Sequence, residues 1–289
     1  MQLALGTVQF GLAYGAVGSG QAVPEAQARA ILDQAWHDGT RTLDTAATYG
    51  DIEARLADLC GTHPFRIVSK IMPLGAMPAA ERPAALALSM QRSLARLGER
   101  LDALLFHSAA DLLAADGPAL WHSARRLLRD CGQPLKLGVS VYAPAELLQL
   151  RQTLDIDIAQ LPGNALDQRL HALDDAARAS LQGVELHLRS AFLQGLLLAP
   201  ERAAQRVPAA AAALARWQAQ CKQAALPLVQ AALGVVQGLP LLQQCVVGVE
   251  TVAQWQDVAA AWQRAQPLYW PALASDDPEA FDPRRWPAA

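Results

Sequence analysis

"TLDTAATYGDIE", Thr42 to Glu53, carries an apolar run into an aspartate, a tyrosine, a glycine and further acids. The run itself, "RTLDTA" (41–46), follows a segment with helical spacing, "PEAQARAILDQAWHDG". That segment begins with Pro24 and stops at Gly39, the usual asymmetry of a helix. A helix that leads into a short apolar strand is one unit of an alternating chain, and the unit recurs. Further strand candidates are "LALGTVQF" (3–10), "FRIVSKI" (65–71), "LDALLFH" (101–107), "LKLGVSV" (135–141), "IDIAQLP" (156–162), "VELHLRSA" (184–191) and "QCVVGV" (244–249). Most are continuously apolar, as parallel strands covered on both faces should be. Helical patterns fall between them, among them "MQRSLARLGE", "LWHSARRLLRDCG", "PAELLQLRQTL", "LDDAARASL", "PAAAAALARWQAQCKQAA" and "TVAQWQDVAAAWQRA".

Eight strands alternating with helices in 289 residues predict the α/β class and one closed (β/α)8 TIM barrel, for which about 250 residues is typical. An open doubly wound sheet is the alternative, but "GAVGSG" at 15–20 is not the GxGxxG turn that such a sheet places after its first strand. No Pro/Gly/Ser linker divides the chain. Residues 1–289 therefore read as a single domain, with 271–289 a tail laid over the barrel.

Composition narrows the partners. The 24 basic and 27 acidic side chains leave a net charge of −3, and no Lys/Arg cluster offers the basic patch that nucleic acid demands. No uncharged apolar run approaches the roughly 18 residues of a membrane span. The start, "MQLALGTVQFG", has no basic n-region and reads as no signal peptide. Cys60, Cys131, Cys221 and Cys245 lie far apart without ligand spacing, which suits reduced thiols in a cytoplasmic protein better than disulfides or zinc. Oligomeric state is open.

In a barrel of this kind, chemistry gathers at the C-terminal ends of the strands. Those ends deliver Asp44 with Tyr49 just beyond it, Lys70 on the third strand, and His107 on the fourth. Singly, each has a structural reading: a helix cap, a packing residue, a snorkelling lysine, a polar loop start. Together they are harder to set aside, because a lysine inside "RIVSKI" is costly unless an acid pairs with it. Asp44 is the natural partner. A free tyrosine has a pKa near 10, and a lysine ammonium beside the phenol oxygen would lower it. With His107 donating a hydrogen bond to a carbonyl oxygen, the set describes a general acid for carbonyl reduction with hydride from a nicotinamide.

"LDTAATYGDIE" resembles the signature of the aldo-keto reductase superfamily. "LGTVQFGLAYG", "LLFHSAAD", "LGVSVY", "IAQLPGNALDQR", "RSAFLQGLL" and "VVGVETVAQWQDV" are similar, in order, to its first, fourth, fifth, sixth, seventh and eighth strand regions. The resemblance implies Asp44, Tyr49, Lys70 and His107 as a catalytic tetrad with Tyr49 the general acid/base, acting on a small carbonyl compound or its alcohol. It implies a cofactor site as well. Thr7 lies on the opening strand and Asp44 borders the site. Ser140 and Gln160 match residues that bond the nicotinamide carboxamide. Ser190, Phe192, Leu193 and Gly195 match the loop around the pyrophosphate, and Gly248, Glu250, Gln254 and Asp257 the adenosine end.

Three positions depart from the family pattern. Val141 stands where an asparagine is common, with Asn164 a candidate substitute. Arg189 stands where a tyrosine often stacks on the nicotinamide; a guanidinium plane can stack too. Around the adenosine, "VVGVETVAQ" has no basic residue and carries Glu250, which repels a 2′-phosphate and suits a free ribose hydroxyl. NAD(H) is therefore expected over NADP(H), unless Arg202, Arg206 or the pair Arg284–Arg285 reaches the site. The competing reading is a catalytically weak NAD(H)-binding regulator or redox sensor. A Schiff-base role for Lys70 fits the adjacent tyrosine less well, and a glycosidase lacks the second carboxylate.

Overall fold

The computed structural model describes residues 1–286; residues 287–289 of the expected tail lie outside the described residues. Eight strands form: β1 Gln2–Gly6, β2 Thr42–Asp44, β3 Arg66–Ile71, β4 Leu101–Phe106, β5 Lys136–Ser140, β6 Ile158–Pro162, β7 Glu185–Arg189 and β8 Gln244–Gly248. All pairings are parallel and follow chain order, with β8 closing on β1 from Gln2↔Gln244 to Gly6↔Gly248. The barrel is the one the alternation predicts.

The first strand is shorter than its apolar run suggested. It ends at Gly6, and Val8–Gly11 turns into a single helical turn instead. That turn ends against the loop after β2. A Cβ at Gly11 would lie 2.0 Å from the carbonyl oxygen of Tyr49, so the two backbones touch where only glycine fits. Gly50 takes a left-handed φ of +65° against the same contact.

The predicted helices form, including Glu25–His37, Arg82–Leu97, Gly117–Asp130, Ala211–Gln223 and Val252–Arg264. Leu228–Gly238 forms as well, although nothing in its pattern announced it. Ala231 to Val236 are all buried, and a helix covered on every side has no amphipathic period to read.

Apolar side chains fill the layer between strands and helices, while Val68, Ala103, Leu105 and Ile158 form a separate small cluster contributed by β3, β4 and β6. At the strand-start end Lys136 bridges Asp102 at 3.0 Å and Glu185 at 2.7 Å, and Glu185 accepts a 2.8 Å contact from His187. A second apolar cluster gathers Leu197, Trp217, Leu273 and Phe281 from the β7–β8 crossover and the segment after Trp270. Trp217 donates to the Leu197 carbonyl at 2.8 Å, and Trp255 to Asp38 at 2.9 Å.

Candidate active site

Asp44 is the last residue of β2, and its register with Val68 sets it beside β3, two residues before Lys70. Both side chains are buried, Asp44 5 % and Lys70 1 % exposed. The Lys70 ammonium donates to both oxygens of Asp44, at 2.7 and 2.8 Å, and to the Thr45 carbonyl at 2.9 Å. Gln160, on β6, donates to the same carboxylate at 2.7 Å. Thr7 anchors the aspartate's backbone, its hydroxyl and its N–H both donating to the Asp44 carbonyl. Burying an ion pair is tolerable only when such bonds satisfy it. The expected pairing is present.

Tyr49 follows on the loop that keeps β3 as its neighbour, Ala47 N–H donating to the Lys70 carbonyl. The Lys70 ammonium sits 5.3 Å from the centre of the Tyr49 ring. His107 approaches the ring edge-on, with centroids 6.1 Å apart. Asp44, Tyr49, Lys70 and His107 are thus gathered from β2, β3 and β4 and the loops that follow β2 and β4.

The protonation states differ from those foreseen. The Lys70 ammonium is bonded to Asp44 and Thr45 and makes no hydrogen bond to the Tyr49 phenol oxygen. Burial, and after it the Asp44 carboxylate, push the Tyr49 phenol well above its ordinary range, with Arg189 opposing. The lowered tyrosine pKa expected from a neighbouring lysine is therefore corrected: the phenol stays protonated. Burial also depresses Lys70, against the pull of Asp44. His107 is lowered to about 4 by burial first and by the Lys70 ammonium second, leaving a neutral imidazole at neutral pH. Its Nδ1 lies 3.3 Å from the Thr48 hydroxyl. When Thr48 donates there, Nε2 carries the proton and can donate onward.

A cavity of about 530 Å3 opens beside Tyr49. Asp44, Tyr49, Gln160 and Arg189 line one part of it, and Gly248, Glu250, Gln254 and Asp257 another. Ser190, Phe192 and Gly195 also line it. Three expected cofactor residues do not: Thr7, Ser140 and Leu193 are buried and form no part of its wall. Thr7 holds Asp44 instead, and Leu193 packs into the second apolar cluster. Asn164 is no substitute for the missing asparagine. Its Oδ1 accepts from Leu166 and Asp167 and its Nδ2 donates to the Ser190 carbonyl, which ties it to its own turn and to the loop after β7.

Residues the sequence did not single out complete the walls. Tyr14 and Gln9 line the cavity, and the buried Oε1 of Gln9 has no hydrogen-bond partner among the described residues. The loop from Leu12 to Val23 forms another wall. Its residues cross towards β7 and β8: Val17 N–H donates to the Gln194 carbonyl at 3.3 Å, and Ser19 donates to Glu250 through both N–H and hydroxyl. The backbone of the facing loop is left-handed at Ser190, Leu193, Gln194 and Gly195, curling it around the cavity. The tail arginines do not reach the Glu250 end, since Arg284 pairs with Asp282 and Arg285 with Glu279. The volume of the cavity, the unmet acceptor of Gln9 and the curled loop fit a dinucleotide. No metal-ligating cluster exists among the described residues, and no described helix is long and apolar enough to cross a membrane.

A model of the aldo/keto reductase family matches residues 2–268. No curated protein matches the chain. Among solved structures, the holo form of the aldo-keto reductase AKR11C1 from Bacillus halodurans is similar, with a TM-score of 0.70, 17 % identity, and 98 % of this chain and 95 % of that one covered. A candidate aldo-keto reductase from Pseudomonas aeruginosa is similar with a TM-score of 0.65 and 23 % identity, covering 91 % and 89 %. At such identities the likeness is one of fold.

Proposed function

Because the chain belongs to the aldo/keto reductase family, we propose that it is a nicotinamide-dependent oxidoreductase that reduces an aldehyde or ketone, with Tyr49 as the proton donor. The observation that carries this reading is the buried Lys70–Asp44 pair beneath a tyrosine that opens onto a dinucleotide-sized cavity. Bound nicotinamide would supply the hydride. Tyr49, held protonated, gives its proton to the carbonyl oxygen as that oxygen gains charge. The neutral imidazole of His107 donates to the same oxygen and orients it. Asp44 and Gln160 fix the ammonium so that its positive charge stays under the ring. Arg189 and Gln160 would hold the nicotinamide end, and Glu250, Gln254 and Asp257 the adenosine end.

Glu250 supports a preference for NAD(H). Its carboxylate lines the cavity, where Ser19 donates to it, and a 2′-phosphate arriving there meets like charge. One observation favours the second reading, a weakly catalytic NAD(H)-binding regulator: the Lys70 ammonium is bonded to Asp44 and Thr45 rather than to the phenol oxygen.

Titration of the purified protein with NADH and NADPH, followed by tryptophan quenching, tests both. NADH should bind tighter, and Glu250→Arg should reverse the order. On 4-nitrobenzaldehyde, Tyr49→Phe should lower turnover by about 10²–10⁴ with cofactor affinity retained. Equal loss of both would make Tyr49 a packing residue, and a wild-type protein that binds NADH but turns nothing over would be the regulator.

A further inference from the structure

We propose that Arg189 makes the nicotinamide site prefer the reduced cofactor over the oxidised one, so that the protein loads NADH and releases NAD+ readily. The inference rests on reading the cavity as a nicotinamide site. Hydride and proton reach the same carbonyl group, so the ring must lie at the Tyr49 part of the cavity, whose wall Arg189 forms.

The charges around that part nearly cancel, except one. Asp44 and Lys70 neutralise each other. His107 is uncharged at neutral pH. Arg284 is bonded to Asp282 and Arg169 to Asp167. Glu250 and Asp257 are grouped with the β8 end. Arg189 has no carboxylate partner among the described residues. Neutral groups alone hold it: the Val141 carbonyl at 3.2 Å, the Ser190 hydroxyl at 3.4 Å, and the Tyr142 ring at 4.3 Å. A part-buried cation with only neutral contacts is costly, and it leaves a positive field on whatever binds beside it.

The two redox forms of the ring answer that field differently. The reduced ring is neutral and the oxidised ring carries a positive charge. A guanidinium within a few ångströms penalises only the second, because like charges repel strongly where water is excluded. The forward reaction passes hydride to the carbonyl carbon and the Tyr49 proton to its oxygen, leaving the ring positive. Its product is therefore the form Arg189 disfavours. Reduced cofactor is bound from a mixed pool, and oxidised cofactor inhibits weakly.

The test is the ratio of dissociation constants for NAD+ and NADH, and likewise for NADP+ and NADPH, by tryptophan quenching. Arg189→Gln keeps a planar donor without the charge, Arg189→Met removes both, and Arg189→Lys keeps the charge. The ratio should fall by about tenfold or more in the two neutral variants, mainly through tighter oxidised cofactor, and should hold within about threefold in Arg189→Lys. For a two-electron couple, tenfold is a drop of about 30 mV in the potential of the bound cofactor. Both constants shifting by one common factor, or a ratio that does not fall, would overturn the assignment and leave Arg189 a wall. A wild-type protein that binds neither form would sink the cofactor reading itself, and this inference with it.

Discussion

Burial and the Lys70 ammonium hold His107 at about 4, against about 6.5 in an unfolded chain. Between those values the unfolded state binds the proton and the folded state does not. Stability contributed by the neutral ring is therefore complete above the unfolded pKa and declines as pH falls from about 6.5 towards 4, then levels. The full window corresponds to on the order of 3 kcal/mol. Urea midpoints at pH 7.5, 5.5 and 4.5 should show the wild type losing more stability than His107→Gln over this range; parallel losses would mean that other groups govern the acid limb. Which residues meet at the strand ends was legible in the sequence: an aspartate, a tyrosine, a lysine and a histidine placed where successive apolar runs stop. Their protonation was not. It depends on which acceptors Lys70 bonds and on how deeply the tyrosine lies, and neither is written in spacing. Ser140, by contrast, sits at a strand end beside Gln160 yet is buried and not part of the cavity wall.

Parallel strands pack where their backbones allow it, and Gly138 on β5 shows the constraint most sharply. A Cβ there would lie 1.9 Å from the Ile158 carbonyl oxygen on β6, so any side chain must prise the two strands apart. Gly138→Ala should cost about 2–3 kcal/mol or more in chemical denaturation. Wild-type stability in that variant would mean that the β5–β6 spacing is looser than the register implies. Strand positions were readable because runs buried on both faces are continuously apolar. Their ends were less so: the first run continues past Gly6 to Phe10 in the sequence, but its second half folds as a helical turn. The Leu228–Gly238 helix escaped notice for the opposite reason, since uniform burial erases the periodicity that marks a helix.

At the scale of the molecule, the segment after Trp270 is more than a surface covering. Leu273 and Phe281 are buried with Trp217 and Leu197 in the second apolar cluster, and Arg284 stacks on the Tyr142 ring at 3.7 Å. Phe281→Ala should remove about 3 kcal/mol of stability, read from the urea midpoint; a change within about 0.5 kcal/mol, ordinary for surface positions, would show that the segment lies on the barrel without supporting it. The sequence suggested where this segment begins but not what it touches, because its partners come from a crossover far away in the chain. The cavity itself straddles the seam where β8 closes on β1, with Gly6, Val8 and Gln9 on one bank and Val246 to Glu250 on the other. That seam gives the protein a timetable. At about 5–20 residues per second of synthesis, β8 is made roughly 10 to 50 s after β1, and until then one bank of the cavity has not been translated. The nascent chain can collapse around its early strands, but it acquires a place for a dinucleotide only with its last strand.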